Sequence, residues 1–210
     1  MRDFELEKFF SEWEFKAQYN LAASDIESRT VADLLAMAST DPQAGFEDLW
    51  LGYTETWGAP DLRAQVATTY ETMEAANILC LAGAQEGIYA AMRVLLSRSD
   101  HAVVIVPNYQ SAETVPLDIC QVSGVPIRAE NNWQLDMDEL TKAVRPNTRL
   151  ISINFPNNPT GALLSQPTLE ALIALCRKHH LYLFSDEVYR LVEQNPKDRM
   201  PQIADIYEKG

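Results

Sequence analysis

From Gly58-Ala59-Pro60 onward, short β-branched runs alternate with stretches of helical spacing, and this alternation restricts the fold more than any other feature of the chain. The pattern predicts a helix over 61–74, a strand over 78–81 and a helix over 85–96. It then predicts strands over 103–106, 150–154 and 181–185, an extended piece over 126–128, and helices over 109–115, 136–144 and 168–180. Runs such as Val103-Val104-Ile105-Val106 carry no polar face. Strands of that kind must be covered on both sides, so the expected architecture is α/β: three layers, with a mostly parallel sheet and helices on both faces. In such sheets ligands bind outside the carboxyl ends of the strands.

The first 45 residues do not share the alternation. Phe9, Phe10, Trp13 and Phe15 form an amphipathic stretch, an extended piece runs from Tyr19 to Ala23, residues 24–30 are polar, and 31–38 has helical spacing. The expected division is an N-terminal segment, 1–45, belonging to a smaller domain, and a large domain, 46–210. No Gly/Ser linker separates them, so the boundary is a change of packing. A formal charge of −13, from 17 basic and 30 acidic residues, disfavours nucleic acid as a partner. No apolar run approaches the roughly 20 residues that span a bilayer, and the start Met1-Arg2-Asp3-Phe4-Glu5 is too acidic for a signal peptide, so no membrane partner is expected. Cys80, Cys120 and Cys176 sit far apart in apolar runs, which favours core thiols over a disulfide framework or metal site; a cytoplasmic location is the expectation.

Chemistry concentrates at predicted strand ends. After the 150–154 strand comes Asn154-Phe155-Pro156-Asn157-Asn158-Pro159-Thr160-Gly161, a turn stiffened by two prolines that aims side-chain amides from the sheet edge. The next strand ends in Ser185-Asp186-Glu187-Val188-Tyr189-Arg190, at the same edge. Leu81-Ala82-Gly83-Ala84-Gln85 opens a helix with small residues, where free N–H groups and the helix dipole suit an anion. Pro107-Asn108-Tyr109 follows the 103–106 strand.

An Asn-Asn-Pro-Thr-Gly turn followed by a hydrophobic strand ending in Asp-Glu-Val-Tyr resembles the signature of the pyridoxal-phosphate (PLP)-dependent aminotransferase superfamily, fold type I, class I/II. That resemblance covers roughly residues 49–190. It implies that Asp186 sits against the pyridine nitrogen of pyridoxal 5′-phosphate, where it is the most consequential catalytic group. It implies that Asn158 and Tyr189 bond the 3′-oxygen, that the backbone amides of Ala84 and Gln85 face the phosphate, and that Tyr109 stacks on the ring. Tyr53, within Tyr53-Thr54-Glu55-Thr56-Trp57-Gly58, matches a tyrosine that reaches the neighbouring subunit's cofactor, implying a homodimer. Each position also has an ordinary structural reading: a helix N-cap for Asp186, a core aromatic for Tyr109, and a surface or loop tyrosine for Tyr189 and Tyr53.

The family's Schiff-base lysine is expected roughly 30–40 residues beyond the strand-end Asp. Lys197 and Lys209 are the lysines that follow Asp186, and neither is assigned that role. The resemblance therefore implies the N-terminal portion of an aminotransferase acting on an amino acid and a 2-oxo acid, with weak, non-covalent cofactor binding and no turnover by this chain alone. Other fold-type I chemistry (lyase, cyclase or decarboxylase), a regulator's sensor domain, and a non-catalytic binding domain remain alternatives. Ala23, Ser24 and Asp25 fall where relatives carry a loop against the substrate. Acidic Asp25 and Glu27 there suit a basic amino acid, or form a solvated acidic loop.

Overall fold

The computed structural model describes residues 2–24, 26–38 and 42–210, the side chains of 42–44 excepted. The chain divides into two compact units: Glu5–Thr56, and Trp57–Gly210 together with the first four residues. The break falls after Thr56, whereas the sequence pattern put it at 45/46.

The smaller unit holds α1 (Glu5–Trp13), α2 (Val31–Met37) and α3 (Pro42–Glu47). Thr30 and Asp33 form a reciprocal capping box at the start of α2, and those hydrogen bonds hold the Asp33 carboxyl below its ordinary range. Large apolar side chains here face solvent, among them Leu21, Trp50, Leu51 and Tyr53.

The larger unit begins with α4 (Pro60–Ala67). This helix stops well short of residue 74, because the Thr68 and Thr69 hydroxyls donate to the carbonyls of Gln65 and Val66, competing with continuation of the helix. The strand predicted over 78–81 is also corrected. The segment is extended, but among the described residues its backbone tie across the chain is one bond, from Cys80 N–H to the Trp57 carbonyl at 2.9 Å, and no ladder forms there. Leu79 and Leu81 are exposed accordingly.

The chain continues as α5 (Ala84–Leu95), β1 (His101–Val106), α6 (Gln110–Leu117), β2 (Gln121–Pro126), α7 (Met137–Ala143), β3 (Thr148–Asn154), α8 (Gln166–His179), β4 (Tyr182–Asp186) and α9 (Ile203–Ile206). All three strand pairings are parallel, in the order β2-β1-β3-β4. Alternate residues feed two cores, as the pleat requires. Val103, Ile105, Ile151, Ile153 and Leu183 pack with Leu140 of α7 and Leu169, Leu172 and Cys176 of α8. Ala102 and Leu150, with the partly buried Val122 and Phe184, pack against Ile88 and Met92 of α5 and Val115 of α6. Helices thus cover both faces, giving the expected three-layer α/β sandwich.

Helix ends fix where each layer starts. Asp136 accepts from the N–H groups of Asp138 and Glu139 to open α7, and Ser165 accepts from Thr168 to open α8. Arg177, Lys178 and His179 close α8, complementing its dipole. At the amino edge of the sheet, buried His101 bridges the hydroxyls of Thr148 (2.8 Å) and Ser123 (2.9 Å), pinning three strands to one level. Burial, and secondarily Arg145, hold its imidazole below the usual value. The opposite edge, where β1, β3 and β4 end, carries the motifs.

Candidate functional site

Parallel register places the strand tips side by side: Asn154, the last residue of β3, pairs with Asp186, the last of β4. Since each connection crosses the sheet before the next strand begins, the loops after β1, β3 and β4 emerge at one edge.

The Asn158 amide Nδ2 donates to the Tyr189 hydroxyl at 3.1 Å, joining the turn after β3 to the loop after β4. Asp186 Oδ1 accepts from the Val188 N–H at 3.1 Å. Burial pushes the Asp186 carboxyl above its ordinary value, and the Val188 bond opposes this. Among the described residues no ion pair is formed by this carboxylate, whose rise is led by desolvation. Its neighbour Glu187 is likewise pushed up by burial, opposed first by the Ile203 N–H and then by the Ser185 hydroxyl.

Tyr109, at the tip of β1, receives a bond to its hydroxyl from Gln85 Nε2 at 2.9 Å. Phe4 meets the same ring edge-on, with centroids 5.3 Å apart. Asn108 Oδ1 accepts from the Tyr109 N–H, while Asn108 Nδ2 is buried without a partner among the described residues. Ala84 and Gln85 open α5, a helix of 12 residues whose N-cap, Gly83, supplies no side-chain bond to the first turn. Gly83 sits at φ 119°, and a Cβ there would meet nothing within 4 Å, so the approach to these N–H groups is open. Glu86 turns back to accept from the Ala82 N–H at 2.7 Å.

Asp186, Asn158 and Tyr189 therefore meet at two adjacent tips, and Gln85 meets Tyr109. Of the other residues expected at the site, Tyr53, Ala23 and Ser24 are exposed residues of the smaller unit, and Asp25 lies outside the described residues.

Two residues of the site escaped the sequence reading. Asn154 is 1% exposed and Asn157 is 4% exposed. Asn157 Nδ2 donates to the Pro107 carbonyl (3.2 Å) and the Asn154 carbonyl (3.3 Å), and its Oδ1 accepts from the Thr160 hydroxyl at 2.6 Å. It fastens the turn after β3 to the tip of β1. A signal was present: an Asn closing a strand built around Leu150, Ile151 and Ile153 is not there for packing. The Gln85 side chain was also missed, only its backbone amide having been singled out.

A family model described as "Aminotransferase class I and II" matches residues 16–208. The aspartate aminotransferase of Pyrococcus horikoshii is 36% identical over 146 residues, covering 67% of this chain and 37% of that protein. The arginine–pyruvate transaminase AruH of Pseudomonas aeruginosa is 34% identical over 193 residues, covering 80% of this chain and 49% of that protein. A PLP-dependent aminotransferase structure from Streptococcus suis superposes with a TM-score of 0.92 at 30% identity, over all of this chain and 56% of that one. The chain spans less than half the length of these two curated relatives.

Proposed function

The chain belongs to the class I and II aminotransferase family, and on that premise we propose that its strand tips hold pyridoxal 5′-phosphate for amino transfer between an amino acid and a 2-oxo acid. The observation that carries the reading is the convergence of a desolvated carboxylate, Asp186, with the bonded pair Asn158 and Tyr189. The residues fit the cofactor. A half-buried, desolvated carboxylate favours a protonated aromatic nitrogen, an uncapped helix start with an open approach favours a phosphate, and the buried Asn108 donor is left for an acceptor.

When bound, the cofactor supplies a protonated pyridine ring that draws electrons from the substrate Cα–H bond. This chain's residues bind and orient. Asp186 holds the proton at the ring nitrogen, since removing that proton would leave the carboxylate charge unpaired in a poorly solvated place. Asn158 and Tyr189 present an amide and a hydroxyl to the 3′-oxygen. Tyr109 offers its ring face, and the Gln85 bond to its hydroxyl anchors the tip of the side chain. The N–H groups of Ala84 and Gln85 take the phosphate, with the Glu86 carboxylate drawn back onto Ala82.

The relatives' names support an amino acid donor, and the similarity to an arginine–pyruvate transaminase favours a basic amino acid among the choices. The apolar side chains exposed on the smaller unit support assembly with a second copy, with Tyr53 contributed across the dimer.

Titration with pyridoxamine 5′-phosphate, whose amine does not condense with surface lysines, tests the site directly. Saturable one-site binding is expected, weakened about 3- to 10-fold by Tyr189→Phe through loss of one hydrogen bond. Unsaturable uptake, or unchanged affinity in Tyr189→Phe, would contradict the reading.

A further inference from the structure

Asn154 closes β3 almost fully buried, and both ends of its side-chain amide are engaged. Nδ2 donates to the backbone carbonyl of Asp186 at 3.0 Å. Oδ1 accepts from the backbone N–H of Asn158 at 2.8 Å. A buried primary amide is costly unless its polar atoms are satisfied. Here the partners are the main chains of the two residues on which the cofactor reading depends. The sheet itself does not need them, because its ladder runs through backbone groups of β3 and β4.

We infer that Asn154 is a positioning residue, whose amide sets the separation between the Asp186 and Asn158 side chains by bridging their backbones. Holding the Asp186 carbonyl fixes the peptide plane from which the carboxylate departs, just where β4 ends and register no longer does so. Holding the Asn158 N–H does the same for the turn, whose other ties run from Asn157 to the Pro107 carbonyl and from the Asn158 side chain to Tyr189. The inference rests on the cofactor reading and extends it to a residue that need not touch the ligand.

Two measurements on the chain test it, with Asn154→Leu and the isosteric Asn154→Asp, the latter covering the case in which the leucine variant does not fold. The first is hydrogen exchange at the Asn158 N–H without ligand. Asn154→Leu should accelerate it at least about 10-fold, while Asn154→Asp, which keeps the acceptor, should leave it protected. The second compares affinity for pyridoxamine 5′-phosphate with affinity for its analogue bearing carbon in place of the ring nitrogen. Asn154→Leu loses the donor to Asp186 and should lower the preference for the nitrogen ligand about 10-fold, and Asn154→Asp should do the same at pH values where its carboxyl is ionised and cannot donate. A generic structural role would weaken the two ligands equally. That outcome, or unchanged exchange at Asn158 in Asn154→Leu, would overturn the inference. If the unmodified chain shows no preference between the ligands, the cofactor reading itself falls, and the exchange rates still decide whether Asn154 holds the turn.

Discussion

Asp186→Asn is expected to bind pyridoxamine 5′-phosphate on the order of 100-fold more weakly than the unmodified chain, yet to be more resistant to unfolding at pH 7 without ligand. The affinity loss follows from removing the charge that pairs with the protonated ring nitrogen. The stability gain follows from the sign of the carboxyl's shift. Burial raises its pKa on folding, so the native chain binds that proton more tightly than the unfolded chain does. Stability therefore falls as pH rises from the ordinary value of 3.8 through the raised folded value, and the full penalty applies above it. This is opposite to a salt-bridged aspartate. Asparagine carries no charge to desolvate and keeps an oxygen for the Val188 N–H, so the penalty disappears while the local turn remains. Thermal unfolding of both proteins between pH 4 and pH 7 checks the sign: the advantage of Asp186→Asn should shrink as pH falls toward 3.8. A less stable variant at pH 7, or one that binds equally well, would contradict the assignment.

Gly58→Ala should cost about 2–6 kcal/mol of stability, from two terms that add. Gly58 lies at φ 104°, where an L side chain is strained by about 1–3 kcal/mol. A Cβ there would also stand 2.6 Å from both Cβ and Sγ of Cys80, and overpacking of this kind costs about 1–3 kcal/mol. Relief by a small shift is blocked, since Trp57 holds Cys80 through its carbonyl and Arg63 bonds the carbonyls of Gly58 and Ala75. Gly83→Ala isolates the first term, because its φ is 119° and no atom lies within 4 Å of the added methyl. Urea denaturation should rank the unmodified chain, Gly83→Ala and Gly58→Ala in falling order. Equal loss in the two variants would show that the contact with Cys80 is slack. The segment leading from Cys80 to Gly83 delivers the start of α5, so Gly58→Ala should also weaken phosphate-bearing ligands.

What the sequence made legible was whatever a local pattern encodes. The strands β1, β3 and β4 are largely apolar on both faces, which only double coverage satisfies, and α8 combines periodic leucines with a serine cap and basic residues at its end. Elements decided by partners were not legible. Residues 78–81 have the composition of a strand but, among the described residues, one cross-chain backbone bond, and a strand is made by its ladder. β2 runs over Gln121–Pro126, where polar Ser123 and Gly124 mask an edge strand, and only its last residue was anticipated as extended. The helix after Pro60 ended early because two threonine hydroxyls turned onto its carbonyls, a choice that composition does not announce.

The site divides the same way. Asp186, Asn158 and Tyr189 were readable because each follows a predictable strand, so their shared edge is a consequence of parallel topology. Asn154 and Asn157 were not, since their role lies in backbone partners 32 and 50 residues away in sequence. The Gln85 link to Tyr109 spans 24 residues and likewise belongs to the folded state.

The protonation state of the ring nitrogen in bound pyridoxamine 5′-phosphate tests the account most directly. With the ligand ¹⁵N-labelled in the ring, its resonance can be followed at a pH where the free ligand has lost that proton. Bound to the unmodified chain, the nitrogen should give the shift of a protonated ring, and bound to Asp186→Asn the shift of a neutral one. A neutral nitrogen beside intact Asp186 would contradict the claim that this carboxylate holds a pyridinium.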